Sequence, residues 1–245
     1  MKLEEIYAVV EEVPHMSIDQ AKAITEVINE NGFSDILELG FCHGVSTCYM
    51  AAALSNSAKG HVTTIDLVSA STMQPNIESL LAKLNLRQYV TIYYEETSYI
   101  WRLIKLIEAN DEPQFDFCYI DGAHDLFVDG LAFFLVDKLL KPGGMIVFDD
   151  LNWTFESSPA LKNTARVKNM PLEEKSTPQV KMVYDLLVKQ HPNYIDFKVK
   201  DGWGYAKKSS NQTNQNQIVQ EVVYREKHIG LGHAFLQILR TIFRK

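Results

Sequence analysis

Glu38-Leu39-Gly40-Phe41-Cys42-His43-Gly44-Val45-Ser46 joins a short apolar run, Asp35 to Leu39, to a segment rich in Ala, Met and Tyr, Ser46 to Leu54. An apolar run of this length ended by glycine reads as a buried strand, and the segment after it as a helix. The stretch is therefore a strand-to-helix turn. Gly40 and Gly44 let the backbone approach a ligand closely, and the helix opening at Ser46 favours negative charge at its free amides. Ser46 can donate to a carboxylate and Glu38 can accept from an ammonium. That pair of roles suits an amino-acid moiety better than a pyrophosphate. The G-x-x-x-G spacing also departs from the G-x-G-x-x-G of dinucleotide sites, which weighs against an NAD-dependent oxidoreductase.

Working outward, Ser17 followed by Gln20 has the form of a capping box, and Ile18, Ala21, Ile24 and Ile28 recur at helical spacing as far as Asn31-Gly32. A helix is expected from Ser17 to Asn31. Beyond the turn, strands are expected at His61–Ile65, Val90–Tyr94, Phe115–Ile120 and Met145–Phe148. Helices are expected between them at Gln74–Leu86, Tyr99–Glu108 and Leu126–Leu140, with Lys141-Pro142-Gly143-Gly144 as a turn. Asn152 to Pro178 reads as irregular and Gln179 to Lys189 as helical. Ile195–Val199 and Trp203–Lys207 then flank an Asp201-Gly202 hairpin signal. This order predicts an α/β fold: a doubly wound, mostly parallel seven-stranded sheet with an antiparallel edge pair.

The pattern assigns residues 1–208 to one domain, 209–217 (SSNQTNQNQ) to a polar linker and 218–245 to a C-terminal helical extension. The extension carries Arg225, Lys227, Arg240, Arg244 and Lys245 against Glu221 and Glu226, so it is basic on an acidic protein of net charge -7. Its apolar face, Leu231, Phe235, Ile238, Leu239, Ile242 and Phe243, suits docking on protein, including a homodimer, better than peripheral contact with a membrane. The acidic balance argues against nucleic acid as a partner. Cys42, Cys48 and Cys118 show no C-x-x-C or zinc-ligand spacing, and the N-terminus has no basic region followed by an apolar run. A cytoplasmic protein with reduced thiols is expected.

In an open α/β sheet, ligands bind beyond the carboxyl ends of the strands. Asp66 ends the second strand about 20 residues after Gly44, where a carboxylate would hold ribose hydroxyls. Asp121 ends the fourth strand in Ile120-Asp121-Gly122-Ala123-His124-Asp125, and Asp149-Asp150 ends the fifth. Three carboxylates converging at one sheet edge would repel one another unless a hard cation, Mg²⁺ or similar, sat between them. Asp121, Asp149 and Asp150 are thus the candidate metal ligands. His124, three residues past Asp121, would project beside that cation, and an imidazole of near-neutral pKa could take a proton from an acceptor hydroxyl. Trp153 and Phe155 could wall an acceptor pocket.

These residues resemble the class I S-adenosylmethionine-dependent methyltransferases, within them the catechol O-methyltransferase-like branch of small-molecule O-methyltransferases. The resemblance runs from about Met16 to Trp153. It implies a Rossmann-like methyltransferase fold and S-adenosyl-L-methionine as cofactor, held by Glu38, Gly40, Gly44 and Ser46, with Asp66 as the ribose-binding acid. His15-Met16-Ser17-Ile18 looks like the family's leading helix, which makes Met16 and Ile18 cofactor contacts. Glu96-Thr97-Ser98 looks like the polar stretch that brackets adenine. Asp121 and Asp149 match family metal ligands, Asp150 stands where catechol enzymes carry Asn, and His124 occupies the position of their catalytic Lys. The implied activity is metal-assisted O-methylation of a small hydroxylated acceptor, with Asp121 and His124 as catalytic residues and Asp121 also beside the cofactor. The alternatives are a metal-independent methyltransferase using His124 as base, or a non-catalytic module that only binds the cofactor.

Overall fold

The computed structural model describes residues 3–14, 16–55 and 60–211. The chain divides into two units, Met1–Asn211 and Gln212–Lys245. The C-terminal helix expected over 218–245, and its dimer or membrane role, lie outside the described residues, as does most of the linker.

The first unit opens with α1 (Leu3–Val10), which the sequence pattern did not mark, and α2 (Ile18–Asn31). Ser17 caps α2 as expected: its side chain accepts from the Gln20 amide and the Gln20 side chain accepts from the Ser17 amide. Gly32, in the left-handed conformation at φ 66°, ends it. Next come β1 (Asp35–Leu39), α3 (Val45–Ser55), β2 (His61–Leu67), α4 (Ile77–Lys83), β3 (Val90–Glu95), α5 (Ile100–Ala109), β4 (Phe115–Ile120), α6 (Leu126–Leu139) and β5 (Leu140–Phe148). The expected helix Gln74–Leu86 is thus shorter. It begins only where Asn76 caps it by accepting from the Ser79 amide.

Lys141-Pro142-Gly143-Gly144 is not a turn between elements. It lies within β5, where Phe115 pairs Leu140 and Phe117 pairs Met145, so the extra residues bulge out of the ladder. Gly143, at φ 82°, supplies the backbone conformation that the bulge needs. The segment read as irregular holds two short helices, α7 (Ala165–Lys168) and α8 (Leu172–Ser176). The helix expected over Gln179–Lys189 is α9 (Gln179–Met182) running on into a π-helical turn, Val183–Val188. The hairpin β6 (Tyr194–Lys200) and β7 (Trp203–Lys208) completes the sheet.

Strand order is β3-β2-β1-β4-β5-β7-β6. The first five strands are parallel, and β7 pairs antiparallel to both β5 and β6. Two apolar clusters cover the two faces. One gathers α1, α2, α3 and α4 around Ile24, Tyr49 and Leu80. The other gathers α5, α6 and the π-helical turn around Leu103, Phe133 and Tyr184. Chain order reverses between β1 and β4, and their carboxyl ends are the floor on which a ligand site of this fold is built. No helix among the described residues is long and apolar enough to cross a membrane.

Candidate active site

The turn after β1 is built against its neighbours. A β-carbon on Gly40 would stand 2.1 Å from the Asp121 carbonyl oxygen and 2.7 Å from Gly122 Cα, and Gly40 has φ 86°. One on Gly44, at φ 92°, would stand 2.5 Å from Ile77 Cγ1. The two glycines make room for the loop after β4 and for α4.

Glu38 works from inside. It is 0% exposed, and its carboxylate accepts from the hydroxyls of Ser46, Thr47 and Thr64. Burial outweighs these three bonds and pushes its pKa up to about 7. Glu38 therefore ties β1, α3 and β2 together. Ser46 gives its hydroxyl hydrogen to Glu38, so it cannot give the same hydrogen to a cofactor carboxylate. The two side chains expected from sequence to contact a cofactor are thus bonded to each other.

Asp66, at the end of β2, reaches the same turn: its Oδ2 accepts from the amides of Phe41 (2.9 Å) and Cys42 (2.7 Å). It stands beside the glycine turn. Met16 packs partly buried against the core and Ile18 opens α2 half-buried. Glu96 and Thr97 are exposed after β3, and Ser98 Oγ accepts from the Ile100 amide at the start of α5. Sequence reasoning missed Glu95, whose buried carboxylate binds Arg102 at 2.6 Å and so turns away from the Glu96-Thr97-Ser98 stretch.

The acids after β4 and β5 separate into two kinds. Asp149 is 5% exposed and accepts from the Tyr119 hydroxyl and from the Asp150 amide. Each of its oxygens thus has a partner within the fold. Asp121, His124 and Asp150 instead bring one ligand atom each to within 4.8 Å of one another. The tight group thus holds His124 where the sequence placed Asp149. Burial, together with the charge of Asp149, holds the Asp121 carboxyl well above its usual range, so the expected repulsion is present.

His124 Nδ1 lies 2.8 Å from the Gly122 carbonyl, which can only accept, so Nδ1 carries a hydrogen. Nε2 faces Asp150 Oδ2 at 3.2 Å and Asp121 Oδ1 at 3.6 Å. Burial opposes a charge on the ring, but the Asp150 hydrogen bond and the Asp121 charge prevail and push its pKa up to about 9. The near-neutral imidazole expected from sequence is corrected accordingly: with no cation between them, the two carboxylates raise its pKa.

Cys42, His124 and Asp150 all adopt left-handed backbone, at φ 50°, 55° and 55°. For non-glycine residues this costs of order 1–3 kcal/mol each and recurs where a side chain must be aimed. Trp153 lies against the His124 ring at 4.6 Å between centroids and Phe155 against Trp153 at 4.9 Å. Arg166 of α7 covers Phe155 and binds Asp125 at 2.6 Å. These aromatics form a wall beside His124, and Arg166 was not legible in advance because nothing in sequence brings position 166 to position 125.

Two carboxylates and an imidazole nitrogen are a donor set for a divalent cation. Ligand atoms at about 2.0–2.6 Å from one ion lie up to about 4–5 Å apart, and these atoms lie within 4.8 Å of one another, so the residues fit such an ion.

Residues 37–151 match the family described as Methyltransferase domain. No curated protein matches the chain. Among solved structures it is similar to an O-methyltransferase from Bacillus cereus in complex with SAH, at 24% identity and TM-score 0.59 over 84% of this chain and 90% of that one. It is also similar to the O-methyltransferase of tomaymycin synthesis from Streptomyces achromogenes, in complex with SAM, at 20% identity and TM-score 0.60 over 84% and 89%. An SAH-bound methyltransferase from Podospora anserina aligns at 14% identity and TM-score 0.59 over 84% and 87%. These likenesses show a shared fold. With the glycine turn, Asp66 beside it and the domain match spanning β1 to the end of β5, residues 37–151 are similar to a methyltransferase domain and the chain has a Rossmann-like methyltransferase fold.

Proposed function

We propose that the chain methylates a hydroxyl oxygen of a small acceptor, with a divalent cation, Mg²⁺ or similar, held by Asp121 and Asp150. The observation that carries this reading is the convergence of Asp121, His124 and Asp150 beyond the ends of β4 and β5, next to the glycine turn. When bound, such a cation lowers the pKa of the acceptor hydroxyl and orients its oxygen. With a cation offsetting the charge of Asp121 and Asp150, the His124 ring is neutral and Nε2 carries one lone pair, which can ligate the ion or take a proton, and we assign it the proton. The ring is already oriented for this by the Gly122 carbonyl at Nδ1. Trp153 and Phe155 exclude water on that side. In the reaction the carbon–sulfur bond of the donor breaks, a carbon–oxygen bond forms, and the hydroxyl proton leaves through Nε2.

The named O-methyltransferases from Bacillus cereus and Streptomyces achromogenes, both solved with SAH or SAM, support the oxygen acceptor and the cofactor. A second reading dispenses with the ion, because His124 and Asp150 already form a complete acid–base pair at 3.2 Å. Transfer of labelled methyl to a panel of hydroxylated small molecules, with and without EDTA, tests both. Transfer abolished by EDTA and restored by Mg²⁺ supports the cation. Transfer indifferent to EDTA leaves the His124–Asp150 pair alone, and no transfer to any oxygen acceptor overturns the proposal.

A cytoplasmic setting is part of the proposal, supported by Cys42, Cys48 and Cys118 being free thiols. So is a homodimer formed through 218–245, which light scattering on the full chain and on a chain ending at Asn211 would test.

A further inference from the structure

The loop that carries His124 is gripped on every side but its own. The Tyr99 ring lies under Gly122, where a β-carbon would stand 2.5 Å from Tyr99 Cε1. The Ala123 amide donates to the Tyr99 hydroxyl oxygen at 3.3 Å, and that hydroxyl in turn donates to Asp129 Oδ1. The other oxygen of Asp129 accepts from the Asp125 amide at 3.1 Å. Tyr99 and Asp129 are both buried, one at the start of α5 and the other in the first turn of α6. The backbone before His124 and the backbone after it are thus held by one tyrosine–carboxylate pair. His124 itself sits in the left-handed region, which is uncommon for a residue other than glycine.

We propose that Tyr99 and Asp129 are positioning residues for methyl transfer: the pair holds the 122–125 loop so that His124 Nε2 is aimed at Asp121 and Asp150. Packing alone does not call for a carboxylate at position 129, since an apolar side chain would fill the same space without desolvating a charge. A carboxylate has two acceptor oxygens, and here each serves one arm of the loop: Oδ1 through Tyr99 to Ala123, and Oδ2 directly to Asp125. Neither residue touches the reacting atoms. The inference rests on the reading of His124 as the base.

The test compares Tyr99→Phe, which keeps the ring under Gly122 and removes only the hydroxyl, with the wild type. Asp129→Asn is the second variant. Three quantities are read on metal-free protein: the ring ¹⁵N resonances of His124, the affinity for S-adenosylmethionine by calorimetry, and the melting temperature. The rate constant for labelled methyl transfer is read with Mg²⁺ present. In Tyr99→Phe the His124 resonances are expected to move toward those of a free imidazole. The rate constant is expected to fall about tenfold and cofactor affinity to stay within about twofold, because Glu38 and Asp66 hold the cofactor turn independently. A lower melting temperature with unchanged His124 resonances and unchanged rate constant shows a purely structural pair and overturns the inference. His124→Gln separates the two levels: undiminished turnover in that variant removes His124 as the base, while the ring resonances in Tyr99→Phe still decide whether the pair aims the imidazole.

Discussion

The carbonyl oxygen of Asp121 occupies the space that a β-carbon on Gly40 would require, at 2.1 Å. The glycine turn after β1 and the acidic loop after β4 are therefore in backbone contact. The Asp121 amide, donating to the Leu39 carbonyl at 2.9 Å, locks the same two strand ends. Gly40→Ala must displace backbone and also strain a residue at φ 86°. It is expected to cost about 3–5 kcal/mol in urea denaturation. A loss below about 1 kcal/mol would show that the two loops are not held together there.

Glu38 provides a pH-dependent test of the buried hub. Its pKa in the folded protein, about 7, lies above the usual 4.5. The neutral acid is thus the form that the fold prefers. The stability it contributes is complete below about pH 4.5 and is lost as pH rises through about 7, a change of about 3 kcal/mol. Glu38→Gln removes this titration. The stability of the variant relative to wild type should rise by that amount between pH 5 and pH 8.5, and a difference that stays flat with pH would contradict the burial argument.

Asp149 and Asp150 are neighbours with opposite duties, so their amide variants should separate. Asp149→Asn perturbs a buried group bonded by Tyr119 and by the Asp150 amide, and should lower stability by about 1–3 kcal/mol. Asp150 has a side chain 48% exposed, and Asp150→Asn should change stability by less than about 0.5 kcal/mol. Its effect belongs to the site: Mg²⁺ affinity by calorimetry is expected to drop about 10–100-fold. Unchanged affinity in Asp150→Asn would place the ion elsewhere.

Trp153 makes the wall against His124. Trp153→Ala should lower kcat/KM for an oxygen acceptor about tenfold, the scale of a lost aromatic contact, and leave the S-adenosylmethionine Kd unchanged. Equal losses in both would mean that the ring supports the whole site rather than the acceptor side.

Much of this architecture is legible along the chain because it depends on local chemistry. The capping box at Ser17 and Gln20, the Asp201-Gly202 hairpin and the run Phe115 to Ile120 each carry their signal within a few residues. Lys141-Pro142-Gly143-Gly144 misled for the same reason: Pro and Gly signal a turn locally, whereas pairing with β4 decides that the segment is a bulge within β5. At the site, Asp66, Asp121, His124, Asp149 and Asp150 stand out by following strand ends. Tyr99, Asp129, Thr47 and Thr64 carry no such mark, since their importance lies in what they touch.

By itself the sequence determined the parallel α/β alternation, the strand-to-helix turn from Glu38 to Ser46 and the acids that end β2, β4 and β5. Periodicity, caps and glycine spacing are properties of neighbouring residues. Only the tertiary structure decided what those residues face. It turned Glu38 and Ser46 inward to one another, filled the glycine space with backbone after β4 and with Ile77 of α4, and bonded Asp149 to Tyr119. It left Asp121, His124 and Asp150 together. The physical reason is that a side chain's role is set by burial and by partners that lie far away along the chain, and both arise only when the strands are placed side by side.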